Sequence, residues 1–193
     1  MRTSVPAPVD DELLSFIESV LLVSGEPVTV SSLATVTGAS RKMVVEALTS
    51  LQSSLRRGIR LQLHDGSAQL VTAPENSEVV QRFLGTSRPT PLSRAALETL
   101  AIVAYRQPIT RAEIEASRGV NSDRAVMTLL ARDLICEVGR RDTVGRPREF
   151  GTTFVFLEHF GLGSLDELPQ LEGAEQPNAS AAGLGLRDSA GPT

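Results

Sequence analysis

The chain is short of most residues that do chemistry: in 193 positions it has no tryptophan, one tyrosine, one cysteine and two histidines. The lone Cys136 excludes an internal disulfide and fits a reducing compartment. His64, His159 and Cys136 show no metal-ligand spacing, so no metal site is expected. Lysine occurs once, as Lys42, and follows Arg41 rather than glycine, which excludes a phosphate-binding P-loop. Neither a G-x-S-x-G nucleophile elbow nor a dinucleotide fingerprint is present. No catalytic residue, no cofactor and no enzymatic activity are therefore expected. No apolar run approaches the roughly 20 residues needed to span a bilayer, and the first ten residues lack the apolar centre of a signal peptide. A cytoplasmic protein with no membrane partner is expected.

Excess charge of one sign is also missing. The net charge of -4 is spread unevenly, with 7 basic and 9 acidic side chains in residues 1–87, 11 and 8 in 88–150, and 1 and 6 in 151–193. Affinity for duplex DNA comes largely from neutralising phosphates, so a dedicated DNA binder carries a clear basic footprint. A middle segment of +3 is a faint one.

What the chain does have is an internal repeat. Pro27-Val28-Thr29, Leu33, Gly38, Ser40, Val45 and Leu48 return 81 residues later as Pro108-Ile109-Thr110, Ile114, Gly119, Asn121, Val126 and Leu129. A short helix, a glycine turn and a longer apolar-striped helix make a helix-turn-helix unit, present twice.

In the first copy, Asp10 or Asp11 opens a helix bearing Leu13, Ile17, Val20 and Leu21, which ends near Ser24-Gly25. Gly38 supplies the turn, Ser40 caps the next helix, and Val44, Leu48, Leu51 and Leu55 form its core stripe until Gly58 closes it. Ile59, Leu61 and Leu63 alternate with polar residues before Asp65-Gly66, a hairpin signal. Pro74-Glu75 opens a further helix through Val79, Val80 and Phe83, stopping at Gly85.

In the second copy, Ser93 caps a helix with Leu97, Leu100, Ala101 and Ala104, Thr110 and Glu113 spell a capping box, and Asn121 caps a helix striped by Val126, Leu129, Leu130 and Leu134. A second wing follows from Ile135, with a long basic tip over 139–147, and Phe154, Leu157 and Phe160 add a last helical turn or two. The fold class is thus mostly α with small β wings, as two tandem winged helix-turn-helix domains. The expected boundaries are a loose N-terminus at 1–9, a first domain at 10–85, a linker at 86–92, a second domain at 93–171 and a disordered tail at 172–193, whose Gly, Ala, Pro and Ser cannot offset the entropy of ordering.

Arg41 and Lys42 begin the first recognition-type helix, where DNA-reading side chains sit; the second copy has Ser122 and Asp123 there, with Arg124 adjacent. Arg140, Arg141, Arg146 and Arg148 charge the second wing, offset by Asp142 and Glu149. Arg41, Lys42, Arg124, Arg140 and Arg141 are the candidate DNA contacts, with a plain solvated surface as the competing reading. A tandem winged-helix transcription regulator is the alternative function.

The run from Leu97 to Ile114, with Arg118 to Asp123, Gly145-Arg146-Pro147 and Phe150-Gly151-Thr152-Thr153, strongly resembles the segregation and condensation protein B (ScpB) family. Phe160-Gly161-Leu162, Ser164-Leu165 and Leu168-Pro169 are similar to its usual ending, and Ser24 to Val28 to its first domain, so the resemblance covers about residues 12–171. Arg124 and Asp133 depart from the expected pattern.

The resemblance implies a non-enzymatic scaffold of the bacterial SMC condensin-like complex, acting in chromosome segregation, partition and condensation during cell division. It implies a homodimer formed through the first domain. It further implies that the second domain binds the kleisin subunit, segregation and condensation protein A (ScpA), and through it the SMC ATPase at the nucleoid, with DNA touched only weakly or indirectly. The partner-binding candidates carried over are Tyr105, Arg106, Arg111, Glu113, Asn121, Arg146, Pro147, Phe150, Gly151 and Thr152. Structural roles compete for several of these, Gly151 through backbone geometry and Asn121 as a cap.

Overall fold

The computed structural model describes residues 10–55, 57–86 and 90–170. The expected loose segment at 1–9, the expected disordered tail at 172–193 and positions 87–89 of the expected linker lie outside the described residues. The chain divides into two compact units. Among the described residues, one runs to Ser77 and takes in Asp166–Gln170; the other is Glu78–Leu165. The division falls between Ser77 and Glu78, ahead of the expected residue 85, and the helix after Pro74 has no buried side chain.

The first unit runs α1 (Asp11–Ser24), β1 (Val28–Thr29), α2 (Val30–Thr37), α3 (Arg41–Ser54), β2 (Ile59–His64) and β3 (Ser67–Thr72). Its helices start where short polar side chains meet unpaired amides: Asp10 accepts from Glu12 N–H at 3.0 Å, Thr29 from Ser32 N–H at 3.1 Å and Ser40 from Met43 N–H at 3.3 Å. Gly38 ends α2 in the left-handed region, at φ 71°. The sheet order is β1-β3-β2, antiparallel throughout. Leu61 opposite Leu70 and Leu63 opposite Ala68 face the helices, whose Leu13, Ile17, Leu33, Val44 and Leu48 complete one core. Full burial stabilises each such Leu or Ile by roughly 1.5–3 kcal/mol. On the other sheet face, Gln69 Nε2 donates to Gln62 Oε1 at 2.9 Å across the strands.

Gly58 does not close α3. The helix ends at Ser54 with Leu55 as its C-cap, and Arg57, at φ 74°, takes the left-handed turn expected of the glycine. Leu55 packs on the core only partly buried.

In the rest of the chain, a 3-10 turn at Pro74–Asn76 leads into α4 (Ser77–Leu84), with Val79 and Phe83 exposed. The second unit then repeats the first: α5 (Arg94–Arg106), β4 (Ile109–Thr110), α6 (Arg111–Arg118), α7 (Asp123–Ala131), β5 (Ile135–Arg140), β6 (Arg148–Thr152) and finally α8 (Phe154–Phe160). Its sheet order, β4-β6-β5, matches that of the first unit, and β5 carries an irregularity between Glu137 and Gly139. Leu100, Val103, Ile114, Val126, Leu129, Phe150 and Leu157 are buried. Helix, short strand, two helices and hairpin is the winged-helix order, so the chain is mostly helical with two small wings.

Two expectations about α7 are corrected. Ser122, not Asn121, occupies the cap position; Asn121 sits one residue earlier, and its Oδ1 accepts from Asp123 N–H at 3.1 Å. Ser122 makes no side-chain cap bond; it is buried, with its own N–H bound to Glu115 Oε1 at 3.1 Å. The helix also stops before Leu134: Arg132 is the C-cap, Asp133 turns at φ 55°, and Leu134 reaches the core from that turn, while Leu130 stays exposed.

Candidate functional site

The positions that carry the family signature gather where the second wing meets α5 and α6. Thr110 and Glu113 close the capping box, with Thr110 N–H donating to Glu113 Oε2 at 2.9 Å and Glu113 N–H to Thr110 Oγ1 at 3.4 Å. Arg141, at the base of the wing tip, spans the gap. It donates through Nη1 to Glu113 Oε1, through Nε to Glu149 Oε1 at 2.7 Å and through Nη2 to the Pro108 carbonyl at 3.2 Å. The Thr110 amide, more than any other group, holds the Glu113 carboxyl below the usual carboxylate range; burial opposes this, and the Thr110 hydroxyl and Arg141 add to it. Glu149 first, then Glu113, raise the Arg141 guanidinium above its ordinary value.

On the other side of the wing stands Gln107, which precedes Pro108 and caps α5. Its N–H donates to Val103 O at 2.9 Å and its Nε2 to Ala104 O at 3.2 Å, while its Oε1 accepts from Thr152 N–H at 2.7 Å and Thr152 Oγ1 at 3.1 Å. Gly151 makes this approach possible. A Cβ there would stand 2.9 Å from Gln107 Oε1 and 2.8 Å from Val138 Cγ1, closer than real contacts allow.

The expected partner-binding residues therefore separate. Arg106 is exposed and donates to Ser117 Oγ at 2.8 Å; Arg111 pairs with Asp123 and lies 3.8 Å from Glu115; Arg146 stands exposed at the wing tip with φ 43°. Tyr105 and Pro147 are half-buried, and Asn121 is exposed in the turn before α7. Phe150, Gly151 and Thr152 are buried within the wing.

The expected DNA contacts have neighbours within the chain. Arg141 is held by Glu113 and Glu149, Arg140 lies 3.5 Å from Glu137, and Arg41 donates to Ser31 Oγ. Lys42 extends into solvent, 3.9 Å from Glu46. Arg124 and Arg146 carry no ion pair among the described residues. Local carboxylates thus take up much of the basic charge that phosphates would need. Among the described residues no cluster of His, Cys, Asp and Glu suits a metal ion, and no helix is long and apolar enough to cross a membrane.

Sequence reasoning missed Gln107 and Arg118. Arg118 is 9% exposed at its side chain, donates to Ser122 Oγ at 3.1 Å and lies 3.5 Å from Glu98, tying α6 to α5 and to the start of α7. The signal for Gln107 was its place immediately before a proline, where α5 must stop and its last carbonyls need donors.

The family model described as segregation and condensation complex subunit ScpB matches residues 15–171. The chain belongs to that family. Segregation and condensation protein B of Clostridium botulinum (strain Kyoto / Type A2) is 47% identical over 161 residues, covering 82% of this chain and 83% of that protein. Its counterpart in Moorella thermoacetica is 45% identical over 184 residues, covering 93% and 94%. The crystal structure of ScpB from Mycobacterium tuberculosis has 42% sequence identity and covers 81% of this chain and 99% of that one, with a TM-score of 0.38. This ScpB family member is thus a subunit of a segregation and condensation complex.

Proposed function

We propose that the chain is a non-enzymatic scaffold that forms a homodimer and binds the kleisin subunit, segregation and condensation protein A, linking it to the SMC ATPase in chromosome segregation and condensation. The observation that carries this reading is that the family match, residues 15–171, takes in both winged-helix units. Exposed apolar side chains on α1, with Phe16 48%, Leu22 69% and Val23 85% exposed, are consistent with a helix that meets a second copy. The pairing of Arg140 and Arg141 with carboxylates disfavours the transcription-regulator alternative.

The test is light scattering on a sizing column, with the protein alone, with the middle segment of the kleisin, and with duplex DNA. A dimer that takes up kleisin and ignores DNA at moderate salt is expected. A monomer that refuses kleisin and holds a particular duplex would reverse the conclusion.

A further inference from the structure

The two copies secure their wings differently. Val28 pairs with Ala68 and Ile109 with Phe150, so Gln69 in the first wing is the register counterpart of Gly151 in the second. Gln69 bonds within its own hairpin, to Gln62. The second wing has no such cross-strand amide pair: Gly151 faces Cys136, and the space it leaves admits Gln107 from the end of α5. The counterpart of Gln107 at the 81-residue offset is Glu26, which is exposed and bonded through its backbone to Ser24.

We propose that Gln107 is the positioning residue of the second wing: its side-chain amide bridges the C-terminus of α5 to Thr152 and so fixes the pose in which the wing meets its partner. All three polar functions of Gln107 that reach neighbouring groups are engaged, two on α5 and one on the wing, and Thr152 is 2% exposed. Removing the amide takes away the acceptor that the buried Thr152 N–H and hydroxyl share, and losing one partner of a buried hydrogen bond is costly. The β4–β6 pairing and Arg141 still hold the wing, but its stem at Thr152 loses its tie to α5, and a binding surface that must be re-ordered on contact binds more weakly.

The test compares full-length Gln107→Ala, Gln107→Glu and wild type by amide hydrogen exchange at Thr152 and by titration with the kleisin middle segment. Glu keeps an acceptor facing Thr152 but replaces the donor to Ala104 with a carboxylate oxygen, which repels that carbonyl. Expected are faster Thr152 exchange and about tenfold weaker kleisin binding in Gln107→Ala, with wild-type exchange restored in Gln107→Glu. Should Gln107→Ala not fold, Gln107→Asn, one methylene shorter, takes its place. Unchanged Thr152 exchange in the folded variant would overturn the positioning role, as would faster exchange with undiminished kleisin binding. The binding arm rests on the kleisin reading. If wild type itself takes up no kleisin, that reading fails, and Thr152 exchange alone decides the role of Gln107 in holding the wing.

Discussion

Arg141 and Glu113, 28 residues apart in the chain, join the base of the second wing to the first turn of α6 through a charge-assisted hydrogen bond. Because the folded protein lowers the Glu113 pKa, the stability this carboxylate contributes is present above its unfolded pKa and is lost as pH falls through the lower folded value. In Arg141→Ala the Glu113 midpoint should rise yet stay below the unfolded one, since the Thr110 amide, the largest cause, remains. An NMR titration of the side-chain carboxyl reads this directly; a midpoint indifferent to Arg141 would mean the pair does not form in solution.

Gly151→Ala should destabilise by about 1–3 kcal/mol, the usual cost of forcing a methyl into a filled site. The new Cβ meets Val138 and Gln107 at once, so one of them must move. Urea unfolding monitored by circular dichroism gives the midpoint. A midpoint within error of wild type would show that the wing yields without cost.

Thr110→Ala removes the hydroxyl that serves the Glu113 amide and should cost about 0.5–2 kcal/mol. Ser40→Ala tests the first copy in the same range, through the Met43 amide. Thermal denaturation of both variants beside wild type suffices. Equal melting temperatures for all three proteins would contradict the capping geometry.

Arg124, at the start of α7, and Arg146, at the wing tip, are exposed and have no ion pair among the described residues. If the protein holds duplex DNA at low salt, replacing each with Ala should reduce the slope of log affinity against log salt by about one unit. Arg141→Ala should leave that slope alone. Binding isotherms at several salt concentrations decide between these residues.

The helices were legible in the sequence because their signals are local. Asp10, Ser40, Ser93 and the Thr110 to Glu113 box each satisfy amides within three residues, and the Asp65-Gly66 turn names its hairpin. The end of α3 was not legible: Arg57 accepts a left-handed backbone that glycine would ordinarily supply, and nothing in its side chain announces that. Nor was the fate of the wing arginines. Arg141 finds Glu113 only because β6 lies beside β4, a long-range pairing that composition does not encode. Nor was the burial of Phe150 and Thr152 legible, since on a five-residue strand only register says which face is covered.

Duplication left the two wings with separate moorings. The first is braced strand against strand through Gln62 and Gln69, so its hairpin keeps its shape whatever the preceding helix does. The second is tied to the last turn of α5 by Gln107 and to the first turn of α6 by Arg141, so a change at either helix end reaches the wing, which makes the C-terminal copy the one whose shape answers to its own helices.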